Sequence, residues 1–177
     1  MSTIERITPF IPVAISKLLI ACTSKEVGGR PSLECIHIEY DEETKISTFI
    51  SSDNFIMCIV TSSEYGDFTG NYLPGKSDKG FWNLEKTDVQ FSNWSRIVPP
   101  QDKQKHIGTL RTEGTRRNSV MLRTCEPMNI DLSFLMLLRG FNWEITQEAD
   151  NEFRPYVCSC IEGKYALKVL IMPCTKL

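Results

Sequence analysis

Residues 55–60 read Phe-Ile-Met-Cys-Ile-Val, an apolar run without the alternation of a half-exposed strand. A strand that is apolar on both faces has to be covered on both sides. This run therefore predicts a central strand, with one layer above it and another below. A chain of 177 residues has room for one domain with an elaboration, but not for two large domains. Its 41% hydrophobic and 24% charged residues can fill such a core, which excludes disordered and low-complexity readings.

The residues around this run fall into a repeated order. Ile11, Ile15, Leu18, Leu19 and Cys22 recur at helical spacing, which predicts a first helix from about Ile11 to Ser24. Pro12 suits its first turn, and Gly28-Gly29 marks the latest point at which it can stop. Strand-like runs follow at Leu33–Tyr40, Lys45–Ser51 and Phe55–Thr61, the first two joined by the polar loop Asp41-Glu42-Glu43-Thr44. After a strand at about Val120–Cys125, Asn129 can cap a second helix, Ile130–Leu138. Arg139 sits in its last turn and Gly140 supplies the stop. Three more runs then appear at Asn142–Glu148, Arg154–Ile161 and Tyr165–Ile171, with Glu162-Gly163-Lys164 as the tight turn between the last two. A helix followed by an antiparallel meander, twice, is an α+β plan with both helices on one sheet face.

Between the halves, from Ser62 to about Asn118, glycines, prolines and polar residues predict loops with short strands, read as an insertion. The organisation expected is one domain over 1–177. Its first half covers about 8–61, the loop-rich insertion about 62–118, and the second half about 119–177. Lys103, Lys105, Arg111, Arg116, Arg117 and Arg123 make a local basic run, either a solvated loop or a nucleic-acid contact.

The chemistry on offer is sparse. The net charge is -2, so any nucleic-acid contact has to be local, or the protein has to surround its ligand. The seven cysteines have neither zinc-ribbon nor Cys-x-x-Cys spacing and read as buried, reduced thiols of a cytoplasmic protein. No signal peptide or bilayer-spanning stretch is expected. His37 falls in a strand and His106 in the basic run without an evident partner. Asp53, set in an apolar context, reads most simply as a turn residue that binds its own backbone. No nucleophile elbow, phosphate loop or zinc helix motif occurs, so no catalytic residue, metal or cofactor is expected.

Several segments, in order, resemble the bacterial DNA polymerase III beta subunit, the sliding clamp. Gly28-Gly29-Arg30-Pro31-Ser32-Leu33 resembles its helix-to-strand junction. Ser51-Ser52-Asp53-Asn54-Phe55-Ile56-Met57 is similar to its A-T-D-G-x-R-L segment, with Asp53 retained, Asn54 in the Gly position and Ile56 in place of Arg. Phe91 to Pro99 resembles F-P-x-Y-x-R-V-I-P, Met128–Gly140 the helix N-x-x-Y-L-L-x-x-L, and Leu170–Leu177 the ending V-M-P-M-R-L.

The resemblance implies a clamp-like domain, two helices packed on antiparallel sheets. It would serve DNA replication as a non-enzymatic processivity or accessory subunit, one domain per chain, closing a ring only as a homo-oligomer. Its partners would be double-stranded DNA, held non-specifically, and replication proteins carrying a clamp-binding motif. Arg30, Lys17, Lys25 and Arg139 would face the DNA. Ser52, Asn54 and Met57 would form one side of a peptide pocket, and Met172, Pro173, Cys174 and Leu177 the other. Because these two sides come from adjacent domains in the family, they are expected to meet only across a subunit boundary. The alternatives are a clamp-mimicking interaction module that does not encircle DNA, and a nucleic-acid enzyme acting through the basic run.

Overall fold

The unbroken apolar run becomes the strand Ile56–Ser62, buried on both faces and set in the middle of one antiparallel sheet. The computed structural model describes residues 6–7, 9–24, 30–75, 83–91, 93–113, 120–125, 128–149, 151 and 153–174, with the backbone alone for Arg6 and 120–125. The first part holds β1 (Arg6–Ile7), α1 (Val13–Ala21), the short turn α2 (Pro31–Glu34), β2 (Ile36–Asp41), β3 (Ile46–Ser52) and β4 (Ile56–Ser62). Then come β5 (Gly70–Pro74), β6 (Leu84–Thr87), β7 (Gln104–Glu113) and β8 (Val120–Cys125). The last part holds α3 (Leu132–Leu137), β9 (Trp143–Glu148), β10 (Tyr156–Glu162) and β11 (Tyr165–Ile171). Among the described residues the sheet has eleven strands, in the order β1-β6-β5-β2-β3-β4-β11-β10-β9-β7-β8.

The two meanders, β2-β3-β4 and β9-β10-β11, join where β4 pairs with β11, from Ile56 opposite Ile171 to Thr61 opposite Ala166. The segment expected as loops with short strands supplies β5, β6 and β7, which extend the sheet beyond β2 and β9. The basic run is not a loop through residue 113: Lys105 and Arg111 lie on β7, which pairs with both β8 and β9.

Local chemistry sets the element ends. α1 stops at Ala21 because Thr23 turns back, its Oγ1 donating to the Ile20 carbonyl at 2.8 Å and its N–H to the same oxygen at 3.1 Å. The helix is thus shorter than its apolar stripe. Leu33, expected to open a strand, instead belongs to α2, where Pro31 fixes the first helical position and the Leu33 N–H reaches the Arg30 carbonyl at 2.9 Å. Asp131, not Asn129, caps α3: its carboxylate accepts from the Ser133 N–H at 2.7 Å and the Ser133 hydroxyl at 2.6 Å. Asn129 is committed elsewhere, its N–H donating to the Tyr156 hydroxyl at 3.1 Å. Gly140 ends this region at φ +102°, a conformation that favours glycine.

Side-chain alternation splits the core into two layers. Ile15, Leu18 and Leu19 of α1 and Leu135 of α3 pack with Phe49, Cys58, Val60, Trp143 and Val169 on one face. On the other, Ile50, Met57, Ile59, Val157 and Leu170 lie under Phe91, Trp94 and Val98. Both covers of β4 are thereby identified: the α-helices on one side, and on the other a strap from Phe91 to Val98 that contains one 3-10 turn, Trp94–Arg96. Each fully buried side chain of this size contributes roughly 1.5–3 kcal/mol.

Candidate peptide and nucleic-acid sites

At one end of the β4–β11 joint the strap and the sheet leave a cavity of about 240 Å³. Ser52, Asn54, Phe55 and Met57, from the turn between β3 and β4, line one side. Asp53 shapes this turn by accepting from the N–H groups of Phe55 and Ile56, each at 2.9 Å. Asn54 takes φ +80°, a conformation asparagine tolerates better than most residues, in the position where the clamp pattern has Gly. Leu170 and Met172 line the opposite side, and Phe91, Trp94 and Ile97 of the strap close over it. Arg30, Ser32 and Leu33, around α2, complete the rim.

Four of the expected pocket residues, Ser52, Asn54, Met57 and Met172, therefore share one cavity. They do so within a single chain, which corrects the expectation that the two sides meet only across a subunit boundary. The reason is the sheet order: β4 and β11 are neighbours, and the Met172 N–H donates to the Phe55 carbonyl at 2.8 Å. Pro173 and Cys174 lie beyond the lining, and Leu177 lies outside the described residues.

The strap is held by contacts that the sequence did not announce. Trp94 Nε1 donates to Glu39 Oε1 at 2.9 Å, and His37 Nε2 meets the same carboxylate oxygen at 2.9 Å. His37 Nδ1 lies 2.6 Å from Asn71 Oδ1, while its ring stacks on Phe91 with centroids 5.2 Å apart. The alternation of β2 puts His37 and Glu39 on one face, but nothing in their spacing names the strap as their partner. A broader depression of about 830 Å³ lies on the other flank of Trp94, against Ile59, Cys160 and Ala166.

On the helix side, Lys17 and Arg139 line one groove of about 680 Å³ together with Val13, Ala14, Met136 and Phe141. Arg30 is not among the groove's lining; it stands at the cavity on the strap side, and Lys25 lies outside the described residues. His106 is paired with Glu144 at 2.9 Å, a partner in β9 that sequence proximity could not show. Cys22, Cys35, Cys58, Cys158, Cys160 and Cys174 are free thiols. Burial pushes the Cys35 thiol up to about 11, helped by neighbouring Glu34, and burial, then the hydrogen bond with Cys22, raises Cys58 well above the ordinary value. Such thiols stay protonated and act as small apolar groups. Among the described residues no helix is long and apolar enough to cross a membrane.

No protein-family model matches this sequence, and no curated protein matches it. Solved structures do. The chain is similar to the Helicobacter pylori beta clamp in complex with carprofen, with TM-score 0.64 and 10% identity over 99% of this chain and 69% of that one. The fold is that of a bacterial sliding clamp. The Thermotoga maritima DNA polymerase III beta subunit gives TM-score 0.60 at 11% identity, over 100% of this chain and 67% of that one. The Helicobacter pylori clamp bound to a DNA ligase peptide gives TM-score 0.60 at 10% identity, covering 99% and 67%. The chain thus spans about two thirds of the length of the clamps it matches.

Proposed function

We propose that this protein is a clamp-like accessory subunit of DNA replication that holds short hydrophobic peptide motifs of partner proteins in the cavity between the β3–β4 turn and Met172. The assembly of Ser52, Asn54, Met57 and Met172 in one apolar-walled cavity carries this reading. The bound DNA ligase peptide of the Helicobacter pylori clamp supports it, since that clamp shares the fold. Methionines suit such a groove because their flexible thioethers adapt to more than one ligand. In this reading the work on DNA is topological: several copies pair through the sheet edges β1 and β8 into a ring around the duplex. Lys17 and Arg139 then offer non-specific phosphate contacts from the helix face.

Fluorescence anisotropy with the DNA ligase peptide tests the cavity. Saturable binding that is lost when Met172 is changed to Glu, with the unfolding midpoint retained, supports the reading; no binding by the wild-type chain removes it.

A second reading, an interaction module that does not encircle DNA, is favoured by the helix face itself. Val13, Leu132 and Met136 are 45%, 69% and 49% exposed there, an apolar surface that phosphates would not select. Retention on circular DNA separates the two readings. A ring shows an oligomeric mass and salt-sensitive retention that weakens in Lys17→Glu/Arg139→Glu, whereas the module shows neither.

A further inference from the structure

Glu39 Oε1 meets two nitrogens at once, the Trp94 indole N–H and His37 Nε2, each at 2.9 Å. The other nitrogen of the same imidazole, Nδ1, lies 2.6 Å from Asn71 Oδ1. Both ring nitrogens of His37 therefore face an oxygen. A neutral imidazole carries one N–H and serves one of these acceptors, whereas the imidazolium carries two and serves both. With the proton on Nε2, the neutral ring sets a lone pair against Oδ1, and the Asn71 amide has to turn over to present its NH2 group instead.

The contacts that depend on this proton are those that hold the strap. The His37 ring stacks on Phe91 with its plane only 5° from parallel, and Trp94 hangs on the carboxylate that His37 meets. A positive ring binds Glu39 more strongly than a neutral one and adds a cation–π contribution to the stack. The His37 side chain is 19% exposed, so these partners rather than water surround most of it. Glu39 is the charged group it touches. On the same sheet face β3 carries Thr48 and Ile50, β5 carries Asn71 and Leu73, and the strap brings Phe91 and Trp94, all uncharged. Glu85 of β6, opposite Leu73, is the next carboxylate on this face, one strand further out. Asp88 ahead of the strap and Arg96 within it are exposed, and Arg30 stands at the cavity that the strap closes.

We propose that His37 is a pH-sensitive latch for the strap. Protonated, it ties Glu39, Asn71 and Phe91 together and seats Trp94; deprotonated, it releases Asn71 and loosens Phe91 and Trp94 over the cavity. Only the charged ring satisfies both acceptors, so the hold is full in mild acid and is lost as pH rises and the ring gives up its proton. The latch is built from the strap's own contacts and stands whether or not the cavity takes a peptide.

NMR on the isotope-labelled full chain, from about pH 5 to about pH 8 where histidines change charge, tests it with two readouts. The His37 ring nitrogens report the proton. Exchange of the Trp94 indole N–H, divided by that of free indole at each pH, reports the hold on the strap. In the wild type both His37 nitrogens should carry protons at the acid end, and indole protection should fall about two- to fivefold toward the alkaline end, the range of a charge-assisted contact at a partly exposed site. The two curves should coincide. In His37→Gln protection should be low and flat. Asn71→Asp gives the imidazolium a second carboxylate and should move the transition to higher pH, while Glu39→Gln keeps an acceptor for Trp94 and should move it to lower pH. Protection that ignores pH in the wild type, the same fall in His37→Gln, or a bare Nδ1 at the acid end overturns the latch. Should His37→Gln not fold, the opposed shifts in the other two variants decide, and unmoved transitions overturn it.

Discussion

Asn129 and Cys174, 45 positions apart, exchange two hydrogen bonds: the Cys174 N–H donates to the Asn129 carbonyl at 2.7 Å, and Asn129 Nδ2 donates to the Cys174 carbonyl. The tail after β11 is thus fixed at Met172 by Phe55 and at Cys174 by Asn129, with Pro173, which has no N–H to offer, between them. Met172 is held against the cavity from both sides. In Asn129→Ala the side-chain bond is lost and the tail should fray. Hydrogen exchange at the Cys174 amide should quicken by about fivefold, as expected for loss of one hydrogen bond of about 1 kcal/mol. Affinity for the DNA ligase peptide should fall with it, while the core amides of β4 and β11 keep their protection. Unchanged exchange at Cys174 would show that the backbone bond alone holds the tail.

The legible parts of this molecule were those written in local pattern. The run at 55–60 announced a strand covered on both faces, and Tyr165–Ile171 was readable residue for residue because the Glu162-Gly163-Lys164 turn fixes its start. Asp53 was readable as a turn residue for the same reason, since its partners lie two and three positions on. What local pattern could not give was choice among competing partners. Asn129 was read as the cap of the second helix, and only the fold shows that Tyr156 and Cys174 draw it away while Asp131 takes the cap. The strap was visible only as a resemblance at Phe91 to Pro99, because its anchors on β2 are long-range. Arg30 was placed by resemblance on the DNA side; the backbone before α2 puts it in the lining of the strap-side cavity, apart from the groove of Lys17 and Arg139.

Trp94 separates two depressions of the strap face, and its indole bond to Glu39 sets the position of the ridge. Trp94→Phe keeps most of the half-buried aromatic surface and removes the donor. Glu39 is 47% exposed at its side chain, so solvent screening should bring the loss below the range for a buried bond to a charged group, to about 1 kcal/mol in urea unfolding. Amide exchange should rise at Ile97 and Val98, and peptide affinity should drop more than stability does. Equal effects of Trp94→Phe and wild type on all three measurements would mean that packing alone holds the strap.

Ser51 lies on β3 opposite Cys58, fully buried, and among the described residues its hydroxyl finds no hydrogen-bond partner. A buried hydroxyl without a partner costs about 1–3 kcal/mol relative to water. Ser51→Ala removes this cost with little change in volume, so it should raise stability by about 1 kcal/mol, against the usual direction of core substitutions. Chemical denaturation decides the sign, and a destabilised variant would show that the oxygen is satisfied in solution.

The cap of α3 should make its first turn acid-sensitive. Hydrogen bonds from the side chain and then the backbone of Ser133 hold the Asp131 carboxyl below the usual carboxylate range. A depressed value in the folded state means that the ionised cap stabilises the fold at pH above the unfolded value, about 3.9. That contribution is lost as pH falls through the folded value. Asp131→Ala should therefore unfold at lower urea than the wild type at neutral pH, and the gap should narrow as pH falls below about 3.9 and close only below the lower folded value, where the carboxyl is protonated in both states. Residual protection of the Ser133 amide should follow the same curve. A gap that stayed constant down to the acid limit would show that Asp131 acts through its shape rather than its charge.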